Sequence, residues 1–233
     1  MKHASQNPIA QNLRSIRQQI KQFEQKYTRP AGSVQLLAVS KTRPIEDIQA
    51  AFNENQRHFG ENYLQDALSK IENLPEADID WHFIGAIQSN KTRQITENFD
   101  WVHTLDRLKI ARRLSEQRPV DLKPLNVCIQ VNISGEGSKS GIQADEVLPL
   151  AKQISLLPQI NLRGLMAIPA ASTEFEQQRK PFHLLKSLKD EIQTQGIELD
   201  TLSMGMSNDM EAAIAEGSTM VRIGTAIFGQ RVR

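Results

Sequence analysis

The apolar positions of the chain change period many times, and each change marks an element. Ile9, Leu13, Ile16, Ile20, Phe23 and Tyr27 step by four and three, which is one face of an amphipathic helix. Asn7 stands where it can cap that helix and Pro8 where it can fill the first turn, while Arg29-Pro30-Ala31-Gly32 breaks it. Short apolar runs then alternate with helical patterns. Strands are expected over 34–39, 57–60, 81–84, 101–104, 125–133, 162–168, 201–204 and 220–223. Helices are expected over 45–53, 63–72, after Ser89, and over 107–117, 144–156, 174–194 and 209–215.

Strands that alternate with helices eight times argue for an α/β fold, a single (β/α)8 barrel of the TIM type with an extra N-terminal helix. One domain over 1–233 is expected, with residues 1–30 forming the helix that packs on the barrel. An open doubly wound sheet fits less well, because no Gly-x-Gly-x-x-Gly follows the first strand. The 125–133 segment supports the barrel independently. Val127, Ile129, Val131 and Ile133 share the face that would meet helices, and Cys128, Gln130 and Asn132 share the face that would look inward.

Composition narrows the functional classes. With 28 Lys+Arg against 27 Asp+Glu the net charge is +1, which leaves no electrostatic footprint for nucleic acid or an anionic membrane. The basic cluster Arg107, Lys109, Arg112 and Arg113 reads as the solvated face of one helix. Cys128 is alone, so no intrachain disulfide forms, and its place in an apolar strand reads as a small buried hydrophobe. His3, His58, His82, His103 and His183 are scattered, with no ligand spacing that would suggest a dedicated metal site. No apolar signal segment and no stretch of membrane-spanning length stands out, so a cytoplasmic protein is expected.

Candidate chemistry gathers at the exits of the first and last strands. Lys41 ends the run Leu36-Leu37-Ala38-Val39-Ser40, either as an amine at the tip of a buried strand or as a snorkelling surface lysine. Lys91 and Lys139 compete with it, the latter in the mobile-looking loop Gly137-Ser138-Lys139-Ser140-Gly141. Arg222 alternates with Val221 and Ile223 and should point into the barrel. Its partner there is either a core carboxylate or the ring nitrogen of a cofactor. Gly224 and Thr225 open a turn whose amides can cradle a phosphate, and Ser207 or Asn208 can begin a helix that does the same or is merely capped. Asn62 follows the second strand and reads equally as a cap or as a donor to a ring hydroxyl. First and last strands of a closed barrel are neighbours, so an amine and a phosphate turn at their exits would suit a phosphorylated aldehyde held as a Schiff base.

With these residues in view the chain resembles the YggS/PROSC family of pyridoxal phosphate-binding proteins, also known as pyridoxal phosphate homeostasis proteins. The matching segments run in order: Ala38-Val39-Ser40-Lys41-Thr42, Phe59-Gly60-Glu61-Asn62-Tyr63, Trp81-His82-Phe83-Ile84-Gly85, Gln88-Ser89-Asn90-Lys91, Ser138-Lys139-Ser140-Gly141, Gly164-Leu165-Met166, Ser203-Met204-Gly205-Met206-Ser207 and Val221-Arg222-Ile223-Gly224-Thr225. Ala86-Ile87 stands where the family often has Pro-Leu, and Asn208 where Asp is common. The resemblance implies a monomeric barrel similar to the N-terminal domain of alanine racemase, with pyridoxal 5'-phosphate bound as a Schiff base. Carried over residue by residue, it makes Lys41 the Schiff-base lysine and sets Asn62 beside the ring. It makes Ser207, Gly224 and Thr225 phosphate contacts and Arg222 the partner of the ring nitrogen.

The expected role is a carrier or buffer of the cofactor, with apo forms of pyridoxal phosphate-dependent enzymes as recipients. A weak amino-acid racemase is the alternative, and a Schiff-base aldolase acting through Lys41 a more distant one. Against the racemase, only Tyr27 and Tyr63 are available as a second base, and the tyrosine-bearing second domain of alanine racemase has no counterpart in this sequence.

Overall fold

The computed structural model describes residues 8–74, 78–135 and 140–230. Its elements run α1 (Pro8–Lys26), β1 (Gln35–Val39), α2 (Ile45–Asn53), β2 (His58–Glu61), α3 (Leu64–Asn73), β3 (Asp80–Phe83), α4 (Thr92–Asn98), β4 (Trp101–Leu105) and α5 (Leu108–Gln117). The chain continues through β5 (Leu125–Gln130), α6 (Ala144–Ile154), β6 (Ile160–Met166), α7 (Phe175–Thr194), β7 (Thr201–Ser203), α8 (Met210–Ala215), β8 (Met220–Ile223) and α9 (Thr225–Phe228). All neighbouring strands pair in parallel, in chain order, and β8 closes on β1 with Leu37 opposite Arg222 and Ala38 opposite Ile223. The expected TIM-type barrel is the architecture.

Alternation along the strands sorts two environments. Phe59, Val102, Val127, Ile129, Leu165, Leu202, Val221 and Ile223 lie in the continuous apolar layer between strands and helices. The barrel interior is smaller and more polar. Trp101, Cys128 and Met166 cluster there, alongside buried His82, His103, Ser203 and Arg222. Burial pushes the Cys128 thiol up to about 12, so it is an inert filler and not a nucleophile.

Helix α1 buries Ile9, Leu13, Ile16 and Ile20, each contributing about 1.5–3 kcal/mol of hydrophobic stabilisation. It straddles the closing seam. Asn12 donates to the Ile227 carbonyl (2.8 Å), Lys26 and Tyr27 donate to Glu211 (2.7 and 2.9 Å), and Arg17 donates to the Glu54 carbonyl (2.6 Å). The buried Glu24 carboxylate accepts from the Gly32 and Val34 amides (3.1 and 2.9 Å) and so shapes the turn into β1.

Three expectations shift. The strand expected over 125–133 stops at Gln130, because Val131 makes only an isolated bridge to Ile142 and the chain folds back there. The strand expected over 162–168 lies two residues earlier, since its register pairs Ile160 with Leu125. Neither Ser207 nor Asn208 begins a helix: they form a turn closed by Met206 N–H donating to Asp209 Oδ1 (2.5 Å), and α8 starts at Met210. In the basic cluster Arg107, Lys109 and Arg112 are exposed, and Arg113 reaches Thr92 Oγ1 (3.3 Å). Asn7 and Lys139, with most of its glycine- and serine-rich loop, lie outside the described residues. Among the described residues no helix is long and apolar enough to cross a membrane.

Candidate functional site

The C-terminal rim of the barrel is built from chain exits that continue the strand ladder. Ser40 N–H donates to the Gly60 carbonyl (3.0 Å), Ile84 N–H to Glu61 O (2.8 Å) and Arg222 N–H to Gly205 O (2.9 Å). Lys41 therefore leaves β1 at the rim next to the β2 exit that carries Asn62, and the β8 exit that carries Gly224 neighbours the chain after Gly205 that carries Ser207. Gly224 also abuts β1. A Cβ there would lie 3.1 Å from the Val39 carbonyl oxygen, so glycine lets the β8 exit close onto the strand that delivers Lys41. Thr225 heads α9, and Ile227 N–H is the first helical donor, to Gly224 O at 2.9 Å. The amides ahead of it have no carbonyl one turn back to bond.

Lys41 is half-buried in a turn whose two flanking peptides are clamped. Lys70 from α3 donates to Ser40 O (3.0 Å), Glu61 Oε1 (2.8 Å) and Asp66 Oδ2 (2.7 Å). Asp66 in turn accepts from Thr42 N–H (3.2 Å), and Ser40 Oγ donates to Glu61 Oε1 (2.6 Å). Thr42 takes the left-handed φ of +62° that this tight turn requires. Burial raises the Glu61 carboxyl above its ordinary range, and the neighbouring Lys70 opposes that. Because both partners are buried, Lys70→Met should destabilise the fold by about 3–5 kcal/mol through the uncompensated Glu61. Lys70→Met with Glu61→Leu should recover most of the loss in chemical denaturation; a double variant as weak as the single one would show the pair is not the cause.

Arg222 rises from β8 into the barrel, as its alternation requires. Its partner is not the core carboxylate that one reading allowed. Nη1 donates to Ser203 O (2.5 Å) and Ser203 Oγ (2.8 Å), and Nη2 donates to Ala167 O (2.9 Å). These bonds engage three of the five guanidinium N–H groups. Burial lowers its pKa to about 10, with Asp209 opposing, so it stays charged at neutral pH. Asn62 Oδ1 is buried without a hydrogen-bond partner among the described residues, an acceptor left for something else. Ser207 and Thr225 are exposed at the rim, where a bound anion would reach them. Lys91, half-buried, precedes α4.

All six candidate residues thus share one end of the barrel, with Arg222 beneath the others. An amine, two rim turns offering amides, and an inward guanidinium can together hold a small molecule that carries both an aldehyde and a phosphate.

Sequence reasoning missed two sets of polar residues here. Lys70 sits three residues after Ala67 on the buried face of α3, and a lysine at an apolar-face position was the available signal. The histidines looked scattered, yet His58, His82 and His103 stand side by side on β2, β3 and β4. Their signal was position: each follows the inward alternation of its own strand.

The family described as alanine racemase, N-terminal domain, matches residues 11–232. The pyridoxal phosphate homeostasis protein of Vibrio alginolyticus is 58% identical over 227 residues, covering 96% of this chain and 97% of that one. Its namesake from Escherichia coli K12 is 51% identical over 228 residues, covering 97% of each. PipY of Synechococcus elongatus PCC7942, solved with PLP bound, superposes with a TM-score of 0.83 at 36% identity, covering 95% of this chain and all of that one. Alanine racemase from Corynebacterium glutamicum shares the fold, with a TM-score of 0.73 at 17% identity over 96% of this chain and 61% of its own.

Proposed function

This chain belongs to the family of pyridoxal phosphate homeostasis proteins, built on the alanine racemase N-terminal domain, and on that premise we propose that it is a carrier of pyridoxal 5'-phosphate (PLP). It binds PLP and serves the homeostasis of that cofactor. The observation that carries the reading is the meeting of the β1 and β8 exits, with Gly224 against Val39 two residues from Lys41.

Bound at this rim, PLP supplies an electrophilic aldehyde carbon and a phosphate dianion. Lys41 presents the amine, on a turn held still by Lys70, Asp66 and Glu61. The amides of Gly224 and Thr225, with the Ser207 hydroxyl, would hold the phosphate, and Asn62 would offer its unpaired Oδ1 to the rest of the molecule. Arg222 would offer its remaining N–H groups to the ring nitrogen. A guanidinium with a pKa of about 10 would donate there and keep its proton, so it would hold that nitrogen unprotonated. An unprotonated ring is a poor electron sink, which disfavours carbanion chemistry. Neither tyrosine is set to act as a second base: Tyr27 bonds Glu211 beside α1, and Tyr63 is mostly exposed. We further propose that the chain works as a monomer in the cytoplasm without nucleic-acid or membrane partners, its net charge of +1 giving neither an attraction.

The test is handover without turnover. PLP-loaded protein incubated with L-alanine, L-serine or L-glutamate should give no D-enantiomer above the buffer blank by chiral chromatography. Mixed with an apo PLP-dependent enzyme, it should restore that enzyme's activity. Racemisation abolished by both Lys41→Ala and Tyr63→Phe would overturn the carrier reading.

A further inference from the structure

A single hydrogen-bonded line crosses the barrel interior and ends on Arg222. His58 Nδ1 lies 3.1 Å from His82 Nε2, His82 Nδ1 lies 2.9 Å from His103 Nε2, and His103 Nδ1 lies 2.8 Å from Ser203 Oγ. Ser203 Oγ then meets Arg222 Nη1 at 2.8 Å. Four strands besides β8 contribute to it, and His82, His103 and Ser203 are fully buried.

The direction of every bond follows from the arginine. A guanidinium can only donate, so one lone pair of Ser203 Oγ is taken. The serine proton then needs an acceptor, and among its bonds the one left is His103 Nδ1. A neutral His103 with Nδ1 accepting carries its proton on Nε2 and donates to His82 Nδ1. His82 repeats the pattern and turns Nε2–H to His58 Nδ1; Asp80 Oδ2 also lies 3.3 Å from that nitrogen, so the outer end of the line is shared with a carboxylate. Both inner rings are held neutral by burial, His103 with its pKa lowered to about 3 and His82 well below its ordinary value. The opposite tautomer at His103 would aim two donors at Ser203 Oγ and strand the serine proton in a dry interior, at the cost of an unmade hydrogen bond.

We propose that His103 is a positioning residue for the cofactor: its Nδ1, the acceptor of the Ser203 proton, keeps a lone pair of Ser203 Oγ turned to Arg222 and so orients the guanidinium. This rests on the PLP reading above, because orientation matters only if Arg222 meets the ring nitrogen. Arg222 Nη1 is spent on Ser203 and half of Nη2 on Ala167, which leaves N–H groups on Nε and Nη2 for a ligand. The relay thus decides which edge of the guanidinium is offered at the mouth. No charge moves through it; it transmits direction.

Two substitutions separate positioning from packing. His103→Phe keeps a ring but loses the acceptor, whereas His103→Asn keeps an acceptor near the Nδ1 position but underfills the core. PLP affinity by equilibrium dialysis, the absorption maximum of bound PLP and thermal stability would be measured for both. The expected result is about tenfold weaker binding and a shifted maximum for His103→Phe, with His103→Asn within about twofold of wild type despite lower thermal stability. Affinity that instead follows thermal stability, or a His103→Phe protein indistinguishable from wild type, would overturn the proposal. A wild-type protein that fails to bind PLP in the same titration would sink the cofactor reading itself. The relay is then judged separately by ¹⁵N NMR of the histidines in the PLP-free protein: Nε2–H on His82 and His103 supports it, and Nδ1–H on His103 overturns it.

Discussion

Acidification from pH 6.5 to 3 should remove about 5 kcal/mol of stability through His103 alone. Its pKa falls from 6.5 in the unfolded chain to about 3 in the folded one, chiefly because burial penalises the imidazolium and secondly because Arg222 repels it. Above pH 6.5 neither state holds the proton, so the contribution is zero. Between 6.5 and 3 the unfolded chain is protonated and the native chain is not, so stability drops steadily as pH falls. Below 3 both states are protonated and the loss levels off. His82 adds to the same trend, being lowered by burial and then by His103 and His58. Glu61, Asp100 and Asp209 act in the opposite sense, since burial raises all three and protonation relieves them. Comparing wild type with His103→Phe cancels those carboxylates. Urea unfolding from pH 7 to 4 should show the wild type losing stability more steeply than the variant. A difference that stays flat across that range would mean His103 takes up its proton alike in the native and unfolded chains.

Lys41→Ala should abolish covalent capture of PLP while leaving the barrel folded. Borohydride treatment of the loaded wild-type protein should place a pyridoxyl group on the tryptic peptide that spans Lys41, recognised by the missed cleavage at the modified lysine. The alanine variant should carry none. Folding should survive because Lys41 is only half-buried and the clamp around it uses Ser40, Thr42, Glu61, Asp66 and Lys70. Circular dichroism and thermal melting check that directly. Non-covalent PLP should still bind, more weakly, since the phosphate turns and Arg222 are untouched. Labelling confined to Lys91 or Lys139 would overturn the assignment, as would a full label in Lys41→Ala.

The order of elements was readable because each strand here is short and amphipathic in its own right. Leu125–Gln130 places Val127 and Ile129 in the helix-facing layer and Cys128 inside, as its alternation dictates. Arg222 was readable for the same reason: two apolar neighbours fixed on the outer face leave it no direction but inward. Strand ends were less legible. Nothing in Val131-Asn132-Ile133 announces that the ladder stops at Gln130, because a strand ends where its partner leaves it, and that partner is distant in sequence.

The same physics divides the site. By itself the sequence determined the (β/α)8 class, the inward or outward face of each strand residue, and the residues with chemistry to offer at the strand exits. Those are local properties, set by side-chain period and by turn residues. Only the tertiary structure decided which polar groups meet. His58, His82 and His103 lie 24 and 21 residues apart along the chain, yet a parallel barrel lays each strand against the next and brings them into hydrogen-bond range. Lys70 finds Glu61 because α3 packs back over the strand it follows, and Ser203 finds Arg222 because β7 and β8 pair. No periodicity carries those meetings: they depend on strand register and helix docking, which are fixed by the summed packing of the apolar layer and not by any residue's immediate neighbours.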